Sequence, residues 1–131
     1  GIKIVLISPE ELELPDYIQR DVIDKNGLES YKTTDLLEVM PQLDVLYMTR
    51  VQKERFFNED DYLRLRDSYI LTPDKLETAK KELKILHPLP RVNEISVKID
   101  EDPRACYFKQ VRNGKFIRMA LILKLLKEAE A

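Results

Sequence analysis

An arginine, an amide and a carboxylate stand at alternate positions just beyond a short apolar run: Arg50, Gln52 and Glu54 follow Asp44-Val45-Leu46-Tyr47-Met48. In extended chain, residues two apart project to the same side. Arg50 and Gln52 can therefore converge, and a guanidinium fork beside an amide can hold a carboxylate bidentately. Glu54 is placed to hold the arginine from behind. The competing reading is a surface arginine with Glu54 as an incidental ion-pair partner, an arrangement that contributes little. A second group follows the run Leu83-Lys84-Ile85-Leu86 and reads His87-Pro88-Leu89-Pro90-Arg91. Two prolines one residue apart remove two N–H donors and stiffen the path, with a cis bond as one option. The main-chain carbonyls of such a bend point in fixed directions and suit an amide or amino group on a ligand. With no ligand, the same residues make a proline-ended strand.

The remaining reactive side chains offer less. His87 is the only histidine, so no two-histidine metal site can form, and a lone histidine fits a hydrogen-bonding structural role. Glu59-Asp60-Asp61 and Asp100-Glu101-Asp102 lack the alternate-position ligands of a calcium loop and read as solvated acidic runs. Cys106 has no second cysteine to pair with; it is expected to pack, in a reducing compartment. The three glycines, Gly1, Gly27 and Gly114, form no phosphate-cradling loop, which argues against a dinucleotide enzyme or an NTPase. Neither a metal nor an organic cofactor is expected.

Composition is ordinary for a soluble globular protein. The 131 residues carry 22 basic and 24 acidic side chains for a net charge of −2, with 44% hydrophobic and 35% charged residues. That near-balance excludes the basic excess of a nucleic-acid binder. No stretch approaches the roughly 20 apolar residues of a membrane helix, and Ile2–Ile7 reads as a strand rather than a leader. The expectation is a cytoplasmic protein with no membrane and no nucleic-acid partner.

Both chemical groups need elements that aim them at one place. The β-branched run 2–7 predicts a strand buried on both faces. Ser8-Pro9-Glu10-Glu11 has a capping-box pattern. A helix is predicted from Pro15, with Leu14, Tyr17, Ile18 and Val22 on one stripe and Asn26-Gly27 as its stop. Further strands are expected over 28–32, 44–48, 69–71 and 83–86. Helices are expected over 35–40, 59–68 and 72–82, and a last extended piece at Tyr107-Phe108. The β-α alternation predicts an α/β fold, a doubly wound parallel sheet with helices on both faces. Ligands of such sheets bind beyond the carboxyl ends of the strands, where both groups fall. From Phe116 to Ala129 apolar residues occupy nearly every helical face. Such a helix needs burial on more than one side, which a single 131-residue domain cannot supply.

Taken together the blocks closely resemble the aspartate carbamoyltransferases. The resemblance rests on Asp44-Val45-Leu46-Tyr47-Met48-Thr49-Arg50-Val51-Gln52-Lys53-Glu54-Arg55-Phe56 and Leu86-His87-Pro88-Leu89-Pro90-Arg91-Val92-Asn93-Glu94-Ile95. A third block adds Asp102-Pro103-Arg104-Ala105, Tyr107-Phe108, Gln110, Asn113-Gly114 and Arg118-Met119-Ala120-Leu121. The related ornithine enzymes resemble a His-Cys-Leu-Pro turn, whereas this chain has His87-Pro88-Leu89-Pro90.

The resemblance implies carbamoyl transfer from carbamoyl phosphate to L-aspartate in pyrimidine synthesis. It implies that Arg50 binds the aspartate side-chain carboxylate with help from Gln52. It further implies that Pro88, Leu89 and Pro90 lend main-chain oxygens to the carbamoyl group, with Glu54 and Arg91 in support. The family's phosphate cradle, Ser-Thr-Arg-Thr, is absent from this sequence, as is the segment Gly-Asp-Leu-Lys-Tyr-Gly-Arg-Thr with which the aspartate half usually opens. Residues 1–131 are therefore expected to form one incomplete aspartate-binding domain, lacking the family's first β-α unit and holding no catalytic residue of its own. Residues 114–129 are expected to pack on the carbamoyl-phosphate-binding domain, the parent enzyme to be a homotrimer, and the chain alone to be inactive. Two alternatives stand beside this: a non-catalytic interaction domain that kept the fold, and a stand-alone sensor of small anions.

Overall fold

The computed structural model describes residues 1–50, 60, 62 and 69–129. Strand β1 (Lys3–Ile7) pairs in parallel with β2 (Glu29–Thr33), in a register that sets Val5 opposite Tyr31. Between them runs α1, an α-turn (Asp16–Ile18) that widens into a π-turn (Gln19–Ile23) and tightens over Asp24–Asn26. Gly27 ends it at φ 64°, the left-handed position that its sequence placement predicts. Asp35 then caps α2 (Leu36–Val39), accepting from the Leu37 and Glu38 amides at 2.8 and 3.3 Å. Such a cap satisfies two of the helix's four orphan donors.

Strand β3 (Val45–Tyr47) pairs in parallel with β4 (Lys84–Leu86), Leu46 opposite Ile85. The strands thus come as two parallel pairs, and among the described residues no ladder joins β1–β2 to β3–β4. Isolated parallel bridges, Leu71 with Ile95 and Ile85 with Ala105, extend the second pair. The core gathers on that side. Leu36, Val39, Met40, Leu46, Leu83 and Ile85 are buried, while β1 contributes only the partly buried Val5 and Ile7. At about 1.5–3 kcal/mol per fully buried aliphatic side chain, β3–β4 with α2 is the better anchored half.

Several expectations need correction: β1 is only partly buried rather than covered on both faces, and Tyr17 and Val22 of the expected helical stripe are exposed. The helix over 72–82 is a single 3-10 turn, Pro73–Leu76, followed by further turns. The Leu76 carbonyl, the α-helical acceptor for residue 80, instead receives the Ala79 amide at 3.2 Å and the Arg104 guanidinium at 3.0 Å. Lys80 is meanwhile held by the Gln42 carbonyl and Asp44 at 2.8 and 2.7 Å. Tyr107-Phe108 is not extended but opens α3 (Tyr107–Ala129). The extended contact lies two residues earlier, where Ile85 exchanges hydrogen bonds of 2.9 Å with Arg104 and Cys106. Burial of the Tyr107 ring, whose hydroxyl donates to Asp100 at 2.5 Å, overrides the strand preference of an aromatic pair. Finally, the strand over 69–71 reduces to the one bridge at Leu71. Of the helix expected over 59–68 only Asp60 and Tyr62 are described; the rest lies outside the described residues.

Candidate functional site

A cavity of about 870 Å³ opens between the two strand pairs. Its inner wall is apolar, built from Val5 and Ile7 of β1, Leu46 of β3, and Leu36 and Leu43. Its polar lining comes from residues that follow three strands: Ser8 and Pro9 after β1, Thr49 and Arg50 after β3, and His87 to Pro90 after β4. A mostly apolar recess with a few convergent polar groups is the usual form of a small-molecule site. Its place beyond the carboxyl ends of parallel strands is the one that open α/β sheets use. Arg50 and the Pro88-Leu89-Pro90 bend, 38 residues apart in sequence by the numbering, border the same space. Gln52 and Glu54 lie outside the described residues.

The bend itself is unusual. Leu89 has φ 50°, and its bond to Pro90 is cis. A non-glycine residue in the left-handed region costs about 1–2 kcal/mol, so other contacts must hold it there. They come from His87 and Glu94, the two buried polar residues of the described chain, at 1% and 4% exposure. The Leu89 amide donates to His87 Nδ1 at 2.8 Å, and His87 Nε2 meets Glu94 Oε1 at 2.7 Å. Glu94 Oε2 accepts from the Val92 and Asn93 amides at 2.9 and 3.0 Å. Burial pushes the Glu94 carboxyl up, but the main-chain amides and the His87 ring together outweigh it and hold it below its ordinary value.

Arg91 turns elsewhere. Its guanidinium forks onto both oxygens of Asp100 and stacks over the Tyr107 and Phe108 rings at 5.7 and 6.0 Å. It does not line the cavity; it ties the far end of the bend to the start of α3. Asp100 is held down to about 2, first by the Arg91 fork and then by the Tyr107 hydroxyl. Burial and the Asp100 carboxylate push Tyr107 up to about 12.

Gln110 joins the two corners. Its Oε1 accepts the His87 amide at 2.9 Å and its Nε2 donates to the Tyr47 hydroxyl at 3.2 Å. One side chain of α3 thus clips the exit of β4 to the end of β3, three residues before Arg50. Residue spacing gives no sign of that clip. The His87–Glu94 pair left a faint one: an acid seven positions after the only histidine, across a proline bend whose reversal can bring them together. Among the described residues no three His, Cys, Asp or Glu side chains are grouped to hold a metal. No helix among them is long and apolar enough to cross a membrane.

Fold and recess define a parallel α/β domain with an arginine and a proline bend on one cavity beyond its strand ends. Residues 1–125 match the family model described as the aspartate/ornithine carbamoyltransferase Asp/Orn binding domain. The chain belongs to that family. An aspartate carbamoyltransferase catalytic subunit from Clostridium acetobutylicum is 62% identical over 124 residues, which cover 95% of this chain and 40% of that relative. One from Lachnoclostridium phytofermentans is 60% identical over 126 residues, covering 96% and 41%. Among solved structures, the catalytic subunit of M. jannaschii aspartate transcarbamoylase superposes with a TM-score of 0.84 at 37% identity, over 96% of this chain and 41% of that one. The Trypanosoma cruzi enzyme in complex with carbamoyl phosphate and aspartate gives 0.81 at 37% identity, over 92% and 40%. The chain spans about 40% of the length of the curated relatives it matches.

Proposed function

We propose that this chain is the aspartate-binding part of an aspartate carbamoyltransferase. In that reaction the amino nitrogen of L-aspartate attacks the carbamoyl carbon of carbamoyl phosphate. The bond from carbon to the bridging phosphate oxygen breaks, inorganic phosphate leaves, and the nitrogen sheds a proton. Catalysis of this kind is positioning plus charge stabilisation in a closed cleft and asks for no metal or organic cofactor. Arg50, with Gln52 beside it and Glu54 behind, takes the side-chain carboxylate of aspartate. The carbonyls of Pro88, Leu89 and Pro90 accept from the carbamoyl amide. Arg91 braces the bend from outside through Asp100.

The observation that carries the reading is the shared cavity: Arg50 and the Pro88–Pro90 bend border one recess. Carbamoyl phosphate itself is assigned to a second domain of the working enzyme. Helix α3 supplies the surface for it, because Ile117, Ile122, Leu123 and Leu125 are 57–64% exposed, and apolar patches of that kind mark interaction sites. Within this reading residues 1–131 form one domain, residues 114–129 pack on the carbamoyl-phosphate domain, and the working enzyme is a cytoplasmic homotrimer. The chain alone is inactive.

The same exposed helix favours a second reading, an interaction domain that kept the fold without the chemistry. Mixing the chain with the carbamoyl-phosphate-binding half of the C. acetobutylicum relative separates the two. Carbamoyl aspartate formed by the mixture, and lost with Arg50→Ala, supports the enzyme. A stable but silent complex supports the interaction domain and overturns the first reading.

A further inference from the structure

We propose that Glu94 and His87 are positioning residues that lock the Leu89 carbonyl in the direction the reaction needs; the proposal rests on the functional reading above. Residues 87–93 contain two prolines, so five main-chain N–H groups remain. Four of them are taken: that of His87 by Gln110, that of Leu89 by the His87 ring, and those of Val92 and Asn93 by Glu94. Four of the five donors of the bend are thereby engaged within the protein, which leaves its carbonyls as the main groups available to a ligand. The arrangement is also directional. His87 Nδ1 accepts from Leu89, so a neutral ring carries its proton on Nε2 and donates it to Glu94 Oε1. The opposite tautomer would set two N–H groups against each other. Glu94 thus fixes the tautomer, the tautomer fixes the Leu89 amide, and the amide holds Leu89 at φ 50°. Neither side chain needs to touch substrate.

A purely structural pair would lose stability and activity together, whereas a lock makes separate claims on each atom. His87→Asn keeps an acceptor near Nδ1 for the Leu89 amide and gives up Glu94. His87→Gln keeps a donor near Nε2 for Glu94 and gives up Leu89. Glu94→Gln cannot accept from the imidazole and from two amides as a carboxylate does.

Two measurements decide it. The first is amide hydrogen exchange on the 131-residue chain, which needs no turnover. The lock requires Glu94→Gln and His87→Gln to speed exchange at Leu89 at least about tenfold while Ile85 in β4 keeps its protection; equal protection at Leu89 overturns it. The second is turnover in the complex with the carbamoyl-phosphate-binding half. There kcat should fall about 10- to 100-fold in His87→Gln and Glu94→Gln, the scale of a misplaced reacting group. The KM for aspartate, which Arg50 governs, should move by less than about threefold. His87→Asn should recover most of the lost kcat. Variants that turn over like the parent, or a loss that follows melting temperature alone in all three, overturn the lock. A silent parent complex counts against the functional reading instead, and the exchange result still decides the lock.

Discussion

Replacing Asp100 by asparagine tests the bracing of the bend at its outer end. Asp100 takes both nitrogens of the Arg91 fork and the Tyr107 hydroxyl, and its carboxyl is held from the ordinary 3.8 down to about 2. At about 1.4 kcal/mol per pH unit, that depression stands for roughly 2 kcal/mol of folding free energy. The Asp100 side chain is 28% exposed and that of Arg91 15%, so solvent screening trims the figure to about 1–2 kcal/mol. The sign follows from the direction: a carboxyl depressed on folding stabilises above its unfolded value near 3.8 and loses that contribution as the pH falls towards 2. Asp100→Asn should therefore cost about 1–2 kcal/mol in urea unfolding at pH 7, followed by circular dichroism. Its deficit relative to the parent should shrink as both proteins are titrated from pH 4 to pH 2. Tyr107, pushed up to about 12, gives the mirror image: its contribution is intact below pH 10 and lost as the pH rises towards 12. An Asp100→Asn deficit that stays constant down to pH 2 would refute the assignment of this stability to the charged fork.

Gln110→Leu keeps the bulk of the clip between β3 and β4 but removes both hydrogen bonds; it should cost about 1–3 kcal/mol in denaturant melts, the penalty of a buried amide left unpaired. It should also weaken aspartate binding in the reconstituted complex, as read by calorimetry. Ile122→Glu on α3, where the side chain is 57% exposed, should change the melting of the chain by no more than about 0.5 kcal/mol. It should weaken association with the carbamoyl-phosphate-binding half, measured by sedimentation, because a charge then meets an apolar surface.

The parts of the fold legible in the sequence were those fixed by short-range chemistry. The apolar run at 2–7 and the Gly27 stop each act within a few residues, and the structure has a strand over Lys3–Ile7 and a left-handed Gly27. The segment 72–82 misled because its fate is decided at long range: Arg104 takes a carbonyl of the turn, and Asp44 takes Lys80. Tyr107 misled for the same reason, its ring being claimed by the core and by Asp100. At the site, the residue types announced a carboxylate fork and a carbonyl-bearing bend. What holds them in register, Gln110 across 63 residues to Tyr47 and Glu94 behind His87, comes from pairings that no local spacing encodes.

The distribution of burial gives the site an uneven frame. Arg50 and the bend are attached to β3 and β4, whose central residues Leu46 and Ile85 are 5% and 0% exposed. Ser8 and the buried Pro9, on the opposite lip, follow β1, none of whose own residues is fully buried. Regions with few buried apolar contacts open at lower free energy than the core. β1 is therefore expected to open at lower free energy than the β3–β4 side of the cavity. The concentration of tethers follows that division: the Gln110 clip, the His87–Glu94 pair and the Arg91–Asp100 fork all lie on the β3–β4 side. The chain thus places these tethers around the bend between β4 and α3 and leaves β1 without a fully buried residue.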